Sequence, residues 1–139
     1  MKRLSPTLKR FIEKQELLRI AWTEGRGARV VPVWFVILDR RCYIGTGSRS
    51  AKWRAMKKRP LVAWVIDGGK TGKYKGLSMH GRAEEVKNRK LRARLYATFG
   101  KKYFGSPDHK KHKEIWGEVY DPQTVFIHLK PSDGFGWEY

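Results

Sequence analysis

The segment "GTGSRSAKWRAMKKRP", residues 45–60, holds the residue types best suited to chemistry. It offers the hydroxyls of Thr46, Ser48 and Ser50, the small residues Gly45 and Ala51 that leave backbone N–H groups accessible, and the cations Arg49 and Lys52. The stretch from Ser50 onward has helical propensity and stops before Pro60, because the residue preceding a proline is pushed away from the α region. A helix N-terminus presents unpaired N–H groups and the positive end of the helix dipole, so hydroxyls and a cation placed there can hold a phosphate. The same residues also make ordinary caps and turns. Taken alone, the segment leaves both readings open.

Other chemistries are less well served. His109 and His112, with Asp108 and Glu114 nearby, have the types of metal ligands, but the segment "HKKHK" is rich in lysine, which opposes a bound cation. No metal site is expected there, and "SPDHKKHKE" reads as a polar excursion. His80 and His128 fall in predicted strands and read as structural. No "GxSxG" elbow, "HExxH" helix or "GxxxxGK[ST]" loop occurs, so common hydrolase and P-loop chemistries lack support. Cys42 is the sole cysteine, which excludes an internal disulfide and a cysteine-based zinc cluster in one chain.

Thirty-one Lys and Arg against 13 Asp and Glu give a formal charge of +18. Such a field draws nucleic acid, anionic membrane or a multiply charged small anion without choosing among them. A merely solvated basic surface accounts for it equally well. No apolar run follows the basic residues of "MKRLSPTLKRF", and the nine-residue run "VVPVWFVIL", residues 30–38, is too short to span a bilayer. These features set the expectation of a cytoplasmic protein without a membrane role.

The elements that must position the segment follow from pattern. At 139 residues the chain has the size of one domain, expected over 1–139. Ser5 and Pro6 form a helix-start signal, and Leu8, Phe11, Ile12 and Leu18 predict an amphipathic helix to about residue 18. "RIAWTE" predicts a short strand, and residues 28–38 one long strand interrupted by Pro32, which belongs on an edge or at a bulge. "DRR" turns the chain into "CYIGT", "LVAWVID" follows as a strand, and "GLSMHGRAEEV" predicts another with Gly81 inside it, a usual place for a bulge or a close backbone approach. Residues 87–104 predict a helix with the apolar stripe Leu91, Leu95, Phe99 and Tyr103. "TVFIHLKP" closes as a strand with Val125, Ile127 and Leu129 on one face. Successive hairpins with helices inserted between them predict a mainly β fold, a small antiparallel barrel with peripheral helices.

The run from Arg29 through Pro60 and on into "LVAWVID" resembles the pyridoxamine 5'-phosphate oxidase-like family, the FMN-binding split barrels. In that family a strand like "VVPVWF" precedes a hairpin, a strand ending in Thr or Ser, then "S-x-K" at the start of a short helix and a "P-x-V-A" strand. Here Thr46, Ser50, Lys52 and "RPLVAWV" stand in that order. "GLSMHGRAEEV" and the closing "LKPSDGFGWEY" resemble later strands of the family. The likeness is closest over residues 19–86.

The resemblance implies a homodimer of split barrels with a flavin, FMN, at each end of the subunit interface. Lys52 would contact the flavin phosphate, helped by Arg29 and by Ser50 or Thr46, within the segment that also carries Gly45, Ser48 and Ala51. Val31, Pro32, Val33 and Trp34 would run beside the flavin ring, with Pro32 where the strand leaves its neighbour. The flavin would carry the redox chemistry of an oxidoreductase acting on a small molecule, so no catalytic acid or base is demanded. Pyridoxamine phosphate oxidases proper continue past the C-terminal Trp into an arginine-containing segment, whereas this sequence ends two residues after Trp137; a vitamin B6 oxidase is therefore not the expectation. Two alternatives stand beside FMN: a deazaflavin coenzyme (F-420) on the same fold, and a non-enzymatic haem- or nucleic-acid-binding module.

Overall fold

The computed structural model describes residues 4–138. Among the described residues four helices and seven strands follow one another: α1 (Pro6–Glu13), β1 (Leu18–Glu24), β2 (Gly27–Val33), β3 (Phe35–Leu38), β4 (Arg41–Gly47), α2 (Ala51–Lys58), β5 (Leu61–Gly68), β6 (Lys75–Glu85), α3 (Arg89–Phe104), α4 (Lys110–Trp116) and β7 (Thr124–Glu138). The strands form one sheet in the order β2-β1-β5-β6-β7-β4-β3. Every pairing is antiparallel.

That order dictates closure. The two edge strands, β2 and β3, are joined by Trp34 alone. Laid flat at the usual strand spacing the edges would stand about 29 Å apart. Two peptide steps reach only about 7 Å. The sheet must therefore curl until the end of β2 meets the start of β3, and because no ladder joins these two edge strands the barrel is split at that seam.

Alternation then sorts the side chains. Leu18, Ile20, Trp22, Phe35, Ile44, Val62, Trp64, Ile66, Val125, Ile127 and Leu129 fill the interior, completed by Leu8 and Ile12 of α1 and Trp53 and Met56 of α2. The opposite face of β3, β4 and β7 contributes Val36, Tyr43 and Phe126 to a second cluster with Leu95, Tyr96, Phe99 and Trp116. So α3, the helix carrying the predicted stripe, covers the outside of the sheet. The expected bulge is present, as a register shift in the β6–β7 ladder between His80 and Gly81.

Three expectations give way. The first helix ends at Glu13, not near residue 18. Leu18 opens β1, since its side chain shares the inward face with Ile20 and Trp22. The long strand 28–38 is two strands, broken at Trp34 and not at Pro32. Pro32 stays in register opposite Arg19, on an edge strand with a single neighbour, which is where a residue without an N–H is tolerated. "HKKHK" is not an open excursion but lies in α4, anchored by buried His112 and Trp116 at i and i+4.

The seam is held by the last turn of α3. The Tyr103 hydroxyl accepts from the Phe35 N–H at 2.9 Å and lies 2.9 Å from the Phe35 carbonyl and 2.8 Å from that of Glu16. Its single proton serves one of these carbonyls at a time. Lys102 Nζ donates to the same Phe35 carbonyl at 2.9 Å and sits 3.6 Å above the Phe35 ring. Trp34, in the gap between strands, stacks on the Tyr103 ring with centroids 4.4 Å apart. Burial pushes the Tyr103 hydroxyl upward and Lys102 down to about 8, so at pH 7 both remain mainly protonated.

Tyr103→Phe keeps the stacking and removes the hydroxyl. Leaving the Phe35 N–H without its acceptor is expected to lower the unfolding free energy by about 1–3 kcal/mol, read as a lower urea midpoint at unchanged slope.

A second prediction concerns His112, fully buried, with Nε2 2.8 Å from the Tyr96 carbonyl and no hydrogen-bond partner for Nδ1. Nε2 must carry the proton, because a carbonyl only accepts. Burial lowers its pKa below the usual 6.5. The unfolded chain thus takes up a proton first, and the stability tied to neutral His112 is complete above pH 6.5 and drains away as pH falls through that value. His112→Gln retains a donor and cannot titrate, so its melting temperature should fall less steeply between pH 7 and pH 5 than that of the parent. A remainder persists from His128, which burial shifts in the same direction.

Candidate functional site

β4 delivers the chain to the candidate segment. Its last residues, Gly45, Thr46 and Gly47, pair with Phe126, Val125 and Thr124 of β7. Gly45 lies under Trp116: a Cβ added there would stand 2.5 Å from that ring. Packing thus already demands a glycine at this position. The turn that follows spends two of its amides internally, Ser48 N–H on the Gln123 carbonyl at 2.8 Å and Ser50 N–H on the Gly47 carbonyl at 3.1 Å.

Ser50 is the N-cap of α2, its Oγ accepting from Trp53 N–H at 3.1 Å. Thr46 Oγ1 lies 3.2 Å from the same Oγ, so one proton of the two hydroxyls closes their mutual bond and the other is left to donate elsewhere. The amides of Ala51 and Lys52 belong to the first helical turn, which has no intrahelical acceptors. Trp53 and Met56, buried in the barrel core, fix the orientation of α2 and with it this donor set.

Lys52 supplies the electrostatics. Its side chain is half-buried, and loss of solvent lowers its pKa. Among the described residues no carboxylate forms an ion pair with it. A desolvated ammonium without a counter-charge costs free energy that an anion would return. The Thr46–Ser50 hydroxyl pair is thus followed directly by the open first-turn amides of Ala51 and Lys52, with the half-buried Lys52 side chain on the same turn and exposed Arg49 just before the cap.

The other candidates lie on β2 and the seam. Arg29 is exposed, opposite Trp22, and its Nε is 3.4 Å from Glu24. Val31 is half-buried and Pro32 exposed on the edge strand, Val33 is buried in the barrel interior, and Trp34 packs on Tyr103. Curling brings the end of β2 beside β3, but Arg29 makes no hydrogen bond or ion pair to Thr46, Ser50 or Lys52. Sequence reasoning passed over Lys102 and the Tyr103 hydroxyl, which order the seam. A hydroxyl ending an otherwise apolar stripe was the available signal. Among the described residues no three of His, Cys, Asp and Glu converge as a metal cluster, and no helix is long and apolar enough to cross a membrane.

Comparison with known proteins bears on this geometry. The family described as pyridoxamine 5'-phosphate oxidase matches over residues 4–138. No curated protein sequence matches the chain. Among solved structures, a conserved hypothetical protein from Mycobacterium tuberculosis superposes with a TM-score of 0.81 at 17% identity, over 98% of this chain and 86% of that one. An FAD-binding protein from Mesorhizobium loti gives 0.74 at 22% identity, over 98% and 96%. HutZ, the haem storage protein of Vibrio cholerae, gives 0.74 at 19% identity, over 96% and 94%. At these identities the structures attest the split-barrel fold, and the match over residues 4–138 places this chain in the pyridoxamine 5'-phosphate oxidase family.

Proposed function

We propose that the protein is a flavoprotein that binds FMN and serves as an oxidoreductase for a small molecule, two copies of the chain enclosing the cofactor. The observation that carries this reading is Lys52, desolvated and without a carboxylate, beside the Thr46–Ser50 hydroxyl pair and the open first turn of α2. This donor set suits a dianionic phosphate: a point charge, one free hydroxyl proton and two amides. The FAD-binding relative supports a flavin in particular.

In this reading Lys52, Ser50 and Thr46 hold the phosphate end, Arg29 approaches from β2, and Val31 to Trp34 flank the ring. When bound, the flavin supplies hydride transfer. The residues of this chain position it and exclude water. The deazaflavin coenzyme would use the same phosphate contacts and differs in the ring. Haem storage in HutZ makes haem the second reading; it needs an axial ligand, and with His112 and His128 packed against Tyr96 and Tyr43 and His109 capping α4, exposed His80 is the histidine left to supply one.

Titration of the purified protein with FMN, the deazaflavin coenzyme and haem, followed by flavin fluorescence or haem absorbance, separates the three. FMN is expected to bind, and Lys52→Ala to weaken it by about ten- to hundredfold, the worth of a charge-assisted contact. The substitution should leave the melting temperature of the cofactor-free protein unchanged or raised, since it removes a desolvated charge. Binding of FMN indifferent to Lys52→Ala would overturn the phosphate assignment, and haem binding in preference to FMN would overturn the flavin reading.

A further inference from the structure

The outer face of the sheet carries a second concentration of charge, away from Lys52. Strand register places Arg82 of β6 directly opposite Leu61 of β5 on one side and Lys130 of β7 on the other. One residue beyond the Cys42–Leu129 pair, Arg41 of β4 follows Lys130, and Leu38 of β3 follows Arg41. Residues opposed across a ladder point to the same face. The sheet thus presents a row Leu61–Arg82–Lys130–Arg41–Leu38, its three central members exposed cations.

Like charges placed directly opposite one another destabilise a sheet. Local acids do little to offset them. Glu84 reaches Lys130 at 4.0 Å and shares itself with His128 Nδ1 at 3.8 Å. Asp39, at the adjoining hairpin, is claimed by Arg94 through contacts of 2.7 and 3.3 Å. The Pro60 carbonyl accepts from Ala83 N–H at 2.8 Å, which brings the chain leaving α2, with exposed Lys58 and Arg59, near the β5 end of the row.

We propose that this row is a docking surface for nucleic acid, bound through its phosphate backbone without reading of bases. The ladder fixes the three cations in a line spanning about 10 Å, and a duplex carries one phosphate charge per about 1.7 Å of axis, so such a line meets several at once. The row itself offers no ring for base stacking: Tyr43 and Phe126 on this face are buried beneath α3, and exposed Phe135 stands opposite Ser78, four residues along β6 from Arg82. A second copy of this chain is a poor occupant: a two-fold contact would set the cations against themselves. The surface is separate from the proposed flavin site and does not depend on it.

The test is fluorescence anisotropy of labelled DNA and RNA duplexes of about 20 base pairs across 50–200 mM salt. Three proteins are compared with the parent: Arg41→Gln/Arg82→Gln/Lys130→Gln; Lys9→Gln/Arg10→Gln/Lys14→Gln, which removes the same charge from α1; and the charge-keeping Arg41→Lys/Arg82→Lys/Lys130→Arg. Helix α1 seats against the far end of β6, where Leu4 and Leu8 approach Gly136, the partner of Leu77. The first variant is expected to bind about tenfold or more weakly at low salt and to lose about 3 from the slope of log K against log salt, near 1 per cation. The α1 variant should keep most of the parent's slope, and the charge-keeping variant nearly all of it. The melting temperature of the first variant should be unchanged or raised, so lost binding is not lost folding. The DNA and RNA arms tell which duplex is preferred, and binding of either supports the surface. Equal losses in the first variant and the α1 variant would overturn it in favour of the overall +18 field. So would an absence of duplex binding at 50 mM salt, or a dependence on the row seen only with vesicles containing about 30% phosphatidylserine.

Discussion

The connection of two edge strands by the single residue Trp34 is the constraint on which the rest depends. A sheet ordered β2-β1-β5-β6-β7-β4-β3 could otherwise lie open, with its inner face seeking a second layer. The short link forbids that, so the sheet supplies both sides of its own core. It also leaves a defect, because at Trp34 the chain passes from the ladder with β1 to the ladder with β4. Phe35 N–H is among the groups exposed by the defect, and the Tyr103 hydroxyl is what satisfies it. The end of α3 is thereby tied to the seam by polar contacts as well as by the Trp34–Tyr103 stack.

Closure also decides where α2 can go. With the barrel interior filled from every strand, Trp53 and Met56 enter it only where a neighbouring strand leaves room, and α2 packs along β1. Its N-terminus then sits at the end of β4, and its C-terminus beside Arg82. The Thr46–Ser50 contact follows from that placement. Trp116 is held above Gly45 by an independent set of bonds: Thr124 Oγ1 donates to the Trp116 carbonyl, and Arg92 donates to the carbonyls of Val119, Asp121 and Thr124. The donor cluster is therefore framed by core packing on both sides before any ligand arrives.

Much of this was legible in residue order. Alternation in "TVFIHLKP", the stripe Leu91–Leu95–Phe99–Tyr103, the helix that stops before Pro60, and Gly81 as a place for a bulge or close approach each encode local structure directly, and each stands as read. The misreadings share a cause. Residues 30–38 form one unbroken apolar run, and nothing local to Trp34 says that the ladder changes partner there; that follows from the closure of a seven-stranded sheet. Leu18 fits a helical stripe and a strand face equally, and core burial beside Ile20 chose the strand. Helix α4 was hidden because its polar residues dominate, while His112 and Trp116, which anchor it, acquire their meaning only against Tyr96 and Phe99. For the site, types and spacing revealed Thr46, Ser50 and Lys52 together, but not the pairing of Arg29 with Glu24.

The excess of positive charge acts differently at the two places where it is concentrated. Lys52 is partly withdrawn from water, so its field is poorly screened and its cost in the empty protein is one of desolvation. An anion bound there, as proposed, would be held by short-range contacts with the cap and first turn of α2, and its binding would respond weakly to salt. Arg82, Lys130 and Arg41 remain in solvent, and their mutual repulsion is reduced by mobile ions. What they gain from a polyanion is mainly the release of its condensed counterions, a gain that vanishes as salt rises. On the two proposals, burial distinguishes a site for a small dianion from a surface for a long anion where net charge cannot.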